Sequence, residues 1–70
     1  MNDQVNDRKF ANTLARGLGV LRVFRASDNG LTHAEIAERT GLPKPTISRL
    51  TYTLCELGYL SHSGRNERFR

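Results

Sequence analysis

Seventy residues with a formal net charge of +4 make one small domain, whose core is too limited to wall a large catalytic cleft. Apolar residues are 37% of the chain, no run approaches the roughly 20 apolar residues that cross a bilayer, and the polar, acid-containing start MNDQVNDRKF resembles neither a secretory signal nor a transit peptide. These features exclude a membrane partner and point to a soluble, cytoplasmic protein.

The charge is uneven. Residues 1–42 hold six Lys/Arg against five Asp/Glu, and residues 43–70 hold five against two, an asymmetry that favours a polyanionic partner over its bland alternative, a basic face kept for solubility. Cys55, His33 and His62 are scattered rather than set at metal-ligand spacing, so no metal and no cofactor are expected. Paired acids and bases and Gly-rich phosphate loops are also missing, which argues against an enzyme.

In chain order, residues 1–10 lack periodicity and read as a flexible N-terminal arm with Phe10 its only large apolar anchor. A first helix is expected from about Ala11 to Ala26, with Leu14, Leu18, Leu21 and Phe24 forming a core stripe at helical spacing. Val20 and Val23 fall beyond that stripe and make a second apolar edge, either extra core or, with Phe10, a subunit contact. Gly17 and Gly19 each cost roughly 1 kcal/mol inside a helix, which suggests close approach of another element. Ser27-Asp28-Asn29-Gly30 is a dense stop signal.

Thr32 opens a second helix with a capping box: its hydroxyl suits the amide of Glu35, whose carboxylate suits the amide of Thr32. Leu31 and Ile36 stand at the two positions of a hydrophobic staple, and Gly41 is the expected left-handed stop. Pro43 and Pro45 cannot continue this helix, but proline suits the first turn of a new one. The third helix runs over about 44–57 with Ile47, Leu50, Leu54 and Leu57 inward and Gly58 ending it. After Gly58 the period changes. Residues 59–62 and 67–70 read as two short strands joined by Ser63-Gly64-Arg65-Asn66, a basic hairpin in which Phe69 packs beside Leu60 or Tyr59.

Two short helices joined by a tight turn, with small Ala37 at their crossing, Gly41 in the turn and Ile47 and Leu50 locking the second helix, form a helix-turn-helix. The expected fold is mainly α with a small β-hairpin: a three-helix winged helix-turn-helix over residues 11–70. The outward face of the third helix then carries Pro45, Ser48, Arg49, Tyr52 and Glu56, with Thr46 and Thr53 on its shoulder and Lys44 projecting from its N-terminal end. Arg49 suits guanine or phosphate, Lys44 supplies a point charge, and Thr46 and Ser48 are short donors; Tyr52 suits either this face or packing. On the wing, Arg65, Arg68 and Arg70 suit flanking phosphates or the minor groove, although charge also protects an ordinary edge strand. The rival reading is a winged-helix protein–protein interaction module, which would carry an exposed apolar patch.

The stretches LARGLGVLRVF at Leu14 to Phe24, LTHAEIAERTGLPKPTISRL at Leu31 to Leu50 and TLCELGYLSHSGRNERFR at Thr53 to Arg70 resemble the N-terminal DNA-binding domain of the IclR (isocitrate lyase regulator) family of bacterial transcription factors. The resemblance covers about Thr13 to Arg70 and is most specific in AEIAERTGLPK, TISRL, LGYL and the RFR of the wing. It implies a homodimer on double-stranded operator DNA, with a small-molecule effector acting through a separate C-terminal domain absent from this chain. It further implies Lys44, Thr46 and Arg49 as leading DNA contacts. Pro45 departs from the family pattern, where serine is usual.

Overall fold

The computed structural model describes residues 9–25, 29–64 and 67–70. Its elements follow in the order α1 (Asn12–Arg22), α2 (His33–Thr40), α3 (Lys44–Glu56), β1 (His62–Ser63) and β2 (Arg68–Phe69). The three helices and two-stranded antiparallel hairpin are the expected architecture.

α2 is built by local chemistry. Thr32 Oγ1 accepts from the Glu35 amide at 3.2 Å, and the Thr32 amide donates to Glu35 Oε1 at 2.9 Å, so two otherwise orphaned helix donors are satisfied. At the other end Gly41, at φ 77°, donates its amide to the Ala37 carbonyl at 2.8 Å, a geometry that disfavours any Cβ. α3 restarts three residues on. Pro43 is its N-cap in extended conformation, and its carbonyl accepts the first helical bond from the Ile47 amide at 3.0 Å.

The core is one cluster of Val20, Leu31, Ile36, Ile47, Leu60 and Phe69, joined by half-buried Leu21, Phe24, Leu50 and Leu54. Thr51 is buried with them at 1% exposure because its hydroxyl is satisfied: it donates to the Ile47 carbonyl at 2.8 Å and lies 3.1 Å from His33 Nε2. The Thr51 hydroxyl thus bridges the α3 backbone and the His33 ring. α3 is thereby tied to the first turn of α2 by a hydrogen bond as well as by packing.

α1 departs from expectation in length and in facing. It ends at Arg22, where the amides of Val23 and Phe24 bond back to Val20 and Leu21 at 3.3 and 3.4 Å and tighten the last turn. The Arg39 guanidinium donates to the Val23 carbonyl at 2.8 Å, so α2 caps α1 from outside. Its buried face is rotated toward Gly17 and Val20, while Leu14 and Leu18 are 62% and 45% exposed. Leu57, at 65%, is likewise outside the core it was expected to join, because α3 stops one residue earlier and Gly58, at φ 89°, turns the chain away. The inferred close approach at Gly17 and Gly19 is not found: a Cβ at either would meet nothing within 4 Å.

The hairpin pairs His62 with Phe69 and Ser63 with Arg68, and Ser61 and Arg70 exchange both backbone bonds at 3.0 Å. Phe69 does more than pack on Leu60. Its backbone also pairs with Leu31, through bonds of 2.8 and 2.7 Å, so the segment entering α2 becomes a third, one-residue strand. Gly30 is required beside it. At φ 91° a Cβ there would lie 3.0 Å from Arg68 Cβ and 3.1 Å from the Phe69 carbonyl.

Candidate nucleic-acid interface

With Ile47, Thr51 and Leu54 turned inward, the 3.6-residue period leaves Pro45, Arg49, Tyr52 and Glu56 on the opposite side of α3. Lys44, Pro45, Ser48, Arg49 and Tyr52 are all exposed and Thr46 is half-buried. The Tyr52 ring, 67% exposed, belongs to this outer face rather than to the packing. Among the described residues, neither Lys44 nor Arg49 makes an ion pair or side-chain hydrogen bond. Two cations therefore stand on a rigid helix with nothing in the fold using them.

Pro45 sits in the first turn of α3, where its missing amide leaves no helical bond unmade. It also deletes one of the free N–H groups that a helix N-terminus offers to an anion. The start of α3 consequently presents an apolar ring between the Lys44 ammonium and the Thr46 hydroxyl.

The wing arginines divide. Arg65 lies outside the described residues. Arg68 Nη1 donates to the Gly30 carbonyl at 2.9 Å and to Glu35 Oε1 at 3.3 Å, so this side chain fastens the wing to α2. Arg70 is exposed and reaches Asn29 Oδ1 at 3.3 Å. The Glu35 carboxyl is held below its usual range chiefly by the Thr32 amide; burial opposes this, and Arg68, the Thr32 hydroxyl and Arg39 add to the lowering.

A cleft of about 540 Å³ separates wing from helices, with Lys44, His33, His62, Gly64 and Glu67 on its walls. The two histidines flank the Phe69 ring, His62 stacked at 4.4 Å and His33 tilted at 4.8 Å between centroids. In the sequence the two histidines are merely scattered, 29 residues apart. Only the strand register, which puts position 62 opposite 69, brings them together.

Among the expected subunit contacts, Val20 needs correction. Val20 is 0% exposed within the single chain and unavailable to a partner, and Val23 is half-buried against the core. Phe10 is 37% exposed. The exposed apolar surface instead comprises Leu14, Leu18, Leu57 and Tyr59, around a groove of about 510 Å³ between α1 and the C-terminal half of α3.

Among the described residues no three His, Cys, Asp or Glu side chains are grouped to hold a metal ion, and no helix is long and apolar enough to cross a membrane. Burial, with Glu56 adding to it, pushes the Cys55 thiol up, away from the lowered range typical of reactive thiols.

Residues 13–64 match the IclR helix-turn-helix domain. The chain is 41% identical over 59 residues to the Pca regulon regulatory protein of Pseudomonas putida, covering 84% of this chain and 20% of that one. It is 44% identical over 59 residues to the HTH-type transcriptional regulator TsaQ1/TsaQ2 of Comamonas testosteroni, covering 84% of this chain and 21% of that one. The crystal structure of an IclR family transcriptional regulator from Brucella abortus superposes with a TM-score of 0.88 at 52% identity, over 93% of this chain and 25% of that one. The chain thus spans only about a fifth to a quarter of the length of these relatives. They are regulators of transcription rather than enzymes, and the helix-turn-helix domain is the part of the chain that the family model matches. The chain belongs to the IclR family, as its helix-turn-helix DNA-binding domain.

Proposed function

We propose that this domain binds operator DNA sequence-specifically in the cytoplasm, inserting α3 into the major groove and laying the wing on the flanking backbone. The carrying observation is the pairing of an inner α3 face locked by Ile47 and Thr51 with outer Lys44 and Arg49 that have no side-chain partner among the described residues. Arg49 supplies the bidentate fork that reads guanine, Lys44 and the Thr46 and Ser48 hydroxyls hold backbone or base edges, and Tyr52 abuts the groove wall. Pro45 replaces a hydroxyl contact with an apolar one, suited to a thymine methyl. On the wing, Arg65 and Arg70 take flanking phosphates. Arg68, held by Gly30 and Glu35, orients the wing.

Two copies on a pseudo-palindrome follow from the two-fold logic of helix-turn-helix operators. Leu14, Leu18, Leu57 and Tyr59, too apolar to favour water together, are the surface assigned to the second copy, with Phe10 beside them. A small-molecule effector would act through a part of the full-length regulator outside these 70 residues.

Binding-site selection from a random duplex pool, followed by titration of the selected duplex, tests the reading. Arg49→Ala should cost about 1–3 kcal/mol and relax the preference at one base pair. Equal affinity of the wild type and a Lys44/Arg49 double alanine variant for every duplex would sink it. The same apolar surface favours the second reading, a protein-interaction module; sedimentation showing a strict monomer that captures no second copy even on DNA, with weak sequence-independent DNA affinity, is the result that module predicts.

A further inference from the structure

Where the first turns of α1 cross α3, Thr13, Arg16, Thr46, Arg49 and Thr53 line a cleft of about 150 Å³, with Leu50 as its floor. No carboxylate lines it. Arg49, Thr46 and Thr53 share one face of α3, three and four residues apart, while Arg16 and Thr13 share one face of α1 by the same spacing. Among the described residues Arg16, like Arg49, has no ion pair or side-chain hydrogen bond. Two guanidinium groups on two rigid helices thus face one cleft lined with hydroxyls. Two exposed cations beside hydroxyls and no carboxylate make the cleft attractive to an anion, and the planar fork of arginine matches phosphate oxygens two at a time.

We propose that this cleft seats one backbone phosphate of the duplex, with Arg16 and Thr13 of α1 gripping it beside the bases that Arg49 reads. The inference rests on the DNA-binding reading above and deepens it. A helix in the major groove runs between two phosphate walls about 12 Å apart. The wing and the first turn of α2 stand on one flank of α3, and the Arg16 cleft is on the other. The domain therefore holds both walls, and the tilt of α3 in the groove is fixed from two sides. Contacts of this kind set register and orientation without reading sequence.

The test uses the 70-residue chain, its selected duplex and an unrelated duplex, with anisotropy titrations across roughly 50–200 mM salt. Arg16→Gln should lower the slope of log affinity against log salt by about 0.9 for each copy bound, the value of one phosphate contact. It should weaken both duplexes by the same factor per bound copy, leave the selected base preferences unchanged, and erase one phosphate per half-site from the ethylation-interference pattern on the flank away from the wing. An unchanged slope and pattern in Arg16→Gln, while Arg49→Ala still alters base preference, overturns the cleft and leaves the DNA-binding reading standing. Failure of the wild type to bind any duplex overturns both. Should Arg16→Gln lose its helical circular dichroism, single methylphosphonate substitutions in the duplex give the answer with the wild-type chain: one flank position that lowers the slope by about 0.9 supports the cleft, and none overturns it.

Discussion

The segment from α2 through the turn to α3 and the helix α1 solve the same problem in different ways. In the first, each boundary is set by groups within four residues of one another: Thr32 with Glu35, Gly41 with Ala37, Pro43 with Ile47. In α1 the N-cap makes no side-chain hydrogen bond, the end is closed by Arg39 from another helix, and the buried face is chosen by what packs on it. Short-range chemistry specifies where a helix begins and ends. Which way it faces, when two apolar edges compete, is settled only by its neighbours.

Val20→Asp attacks that comparison hardest. A subunit-contact role for Val20 predicts a folded monomer; its 0% exposure predicts an unpaired buried charge, a loss of roughly 4 kcal/mol or more, and no cooperative unfolding transition in circular dichroism. Gly30→Ala comes next. The left-handed backbone and the 3.0 Å approach of Arg68 Cβ predict a loss of about 1–3 kcal/mol in urea denaturation, although Gly30 reads in sequence as one more turn residue.

Gly19→Ala reverses the sign. Open space around an added Cβ predicts a gain of up to about 1 kcal/mol from helix propensity, and a loss would restore the inference that something packs closely there. The smallest effect is on the α2 side. The Glu35 carboxyl is lowered in the folded chain, so its contribution is present above the unfolded glutamate value and is lost as pH falls through that value and then the lower folded one. The melting temperature of the wild type should accordingly exceed that of Glu35→Gln at neutral pH, with the gap closing on the acid side. A gap independent of pH would remove the charge from the account.

These contrasts also mark what the residues alone disclose. Helix count, the capping box, the turn at Gly41 and the outward positions of Lys44 and Arg49 follow from spacing and from glycine and proline stereochemistry, all local. The rotation of α1 does not, because Leu14, Leu18 and Leu21 make as regular a stripe as Gly17, Val20 and Phe24. Nor does the engagement of Arg68 with Gly30 and Glu35, partners 38 and 33 residues away. Thr51 was legible in principle: it lies one turn after Ile47 on the inward face, where a hydroxyl can satisfy itself on the i−4 carbonyl.

Phe69 bonds to Leu31 through its backbone, stacks its ring on His62 with His33 tilted against it, and fills the core beside Leu60. Opening the wing at Phe69 therefore strips the entrance to α2 of its hydrogen bonds as well. The amides of Leu31 and Phe69 should exchange with deuterium together, and as slowly as those of the helices, making the hairpin and the reading head one cooperative unit. Under the proposed DNA-binding reading, a phosphate gripped by the wing would be coupled to α3 through this shared unit.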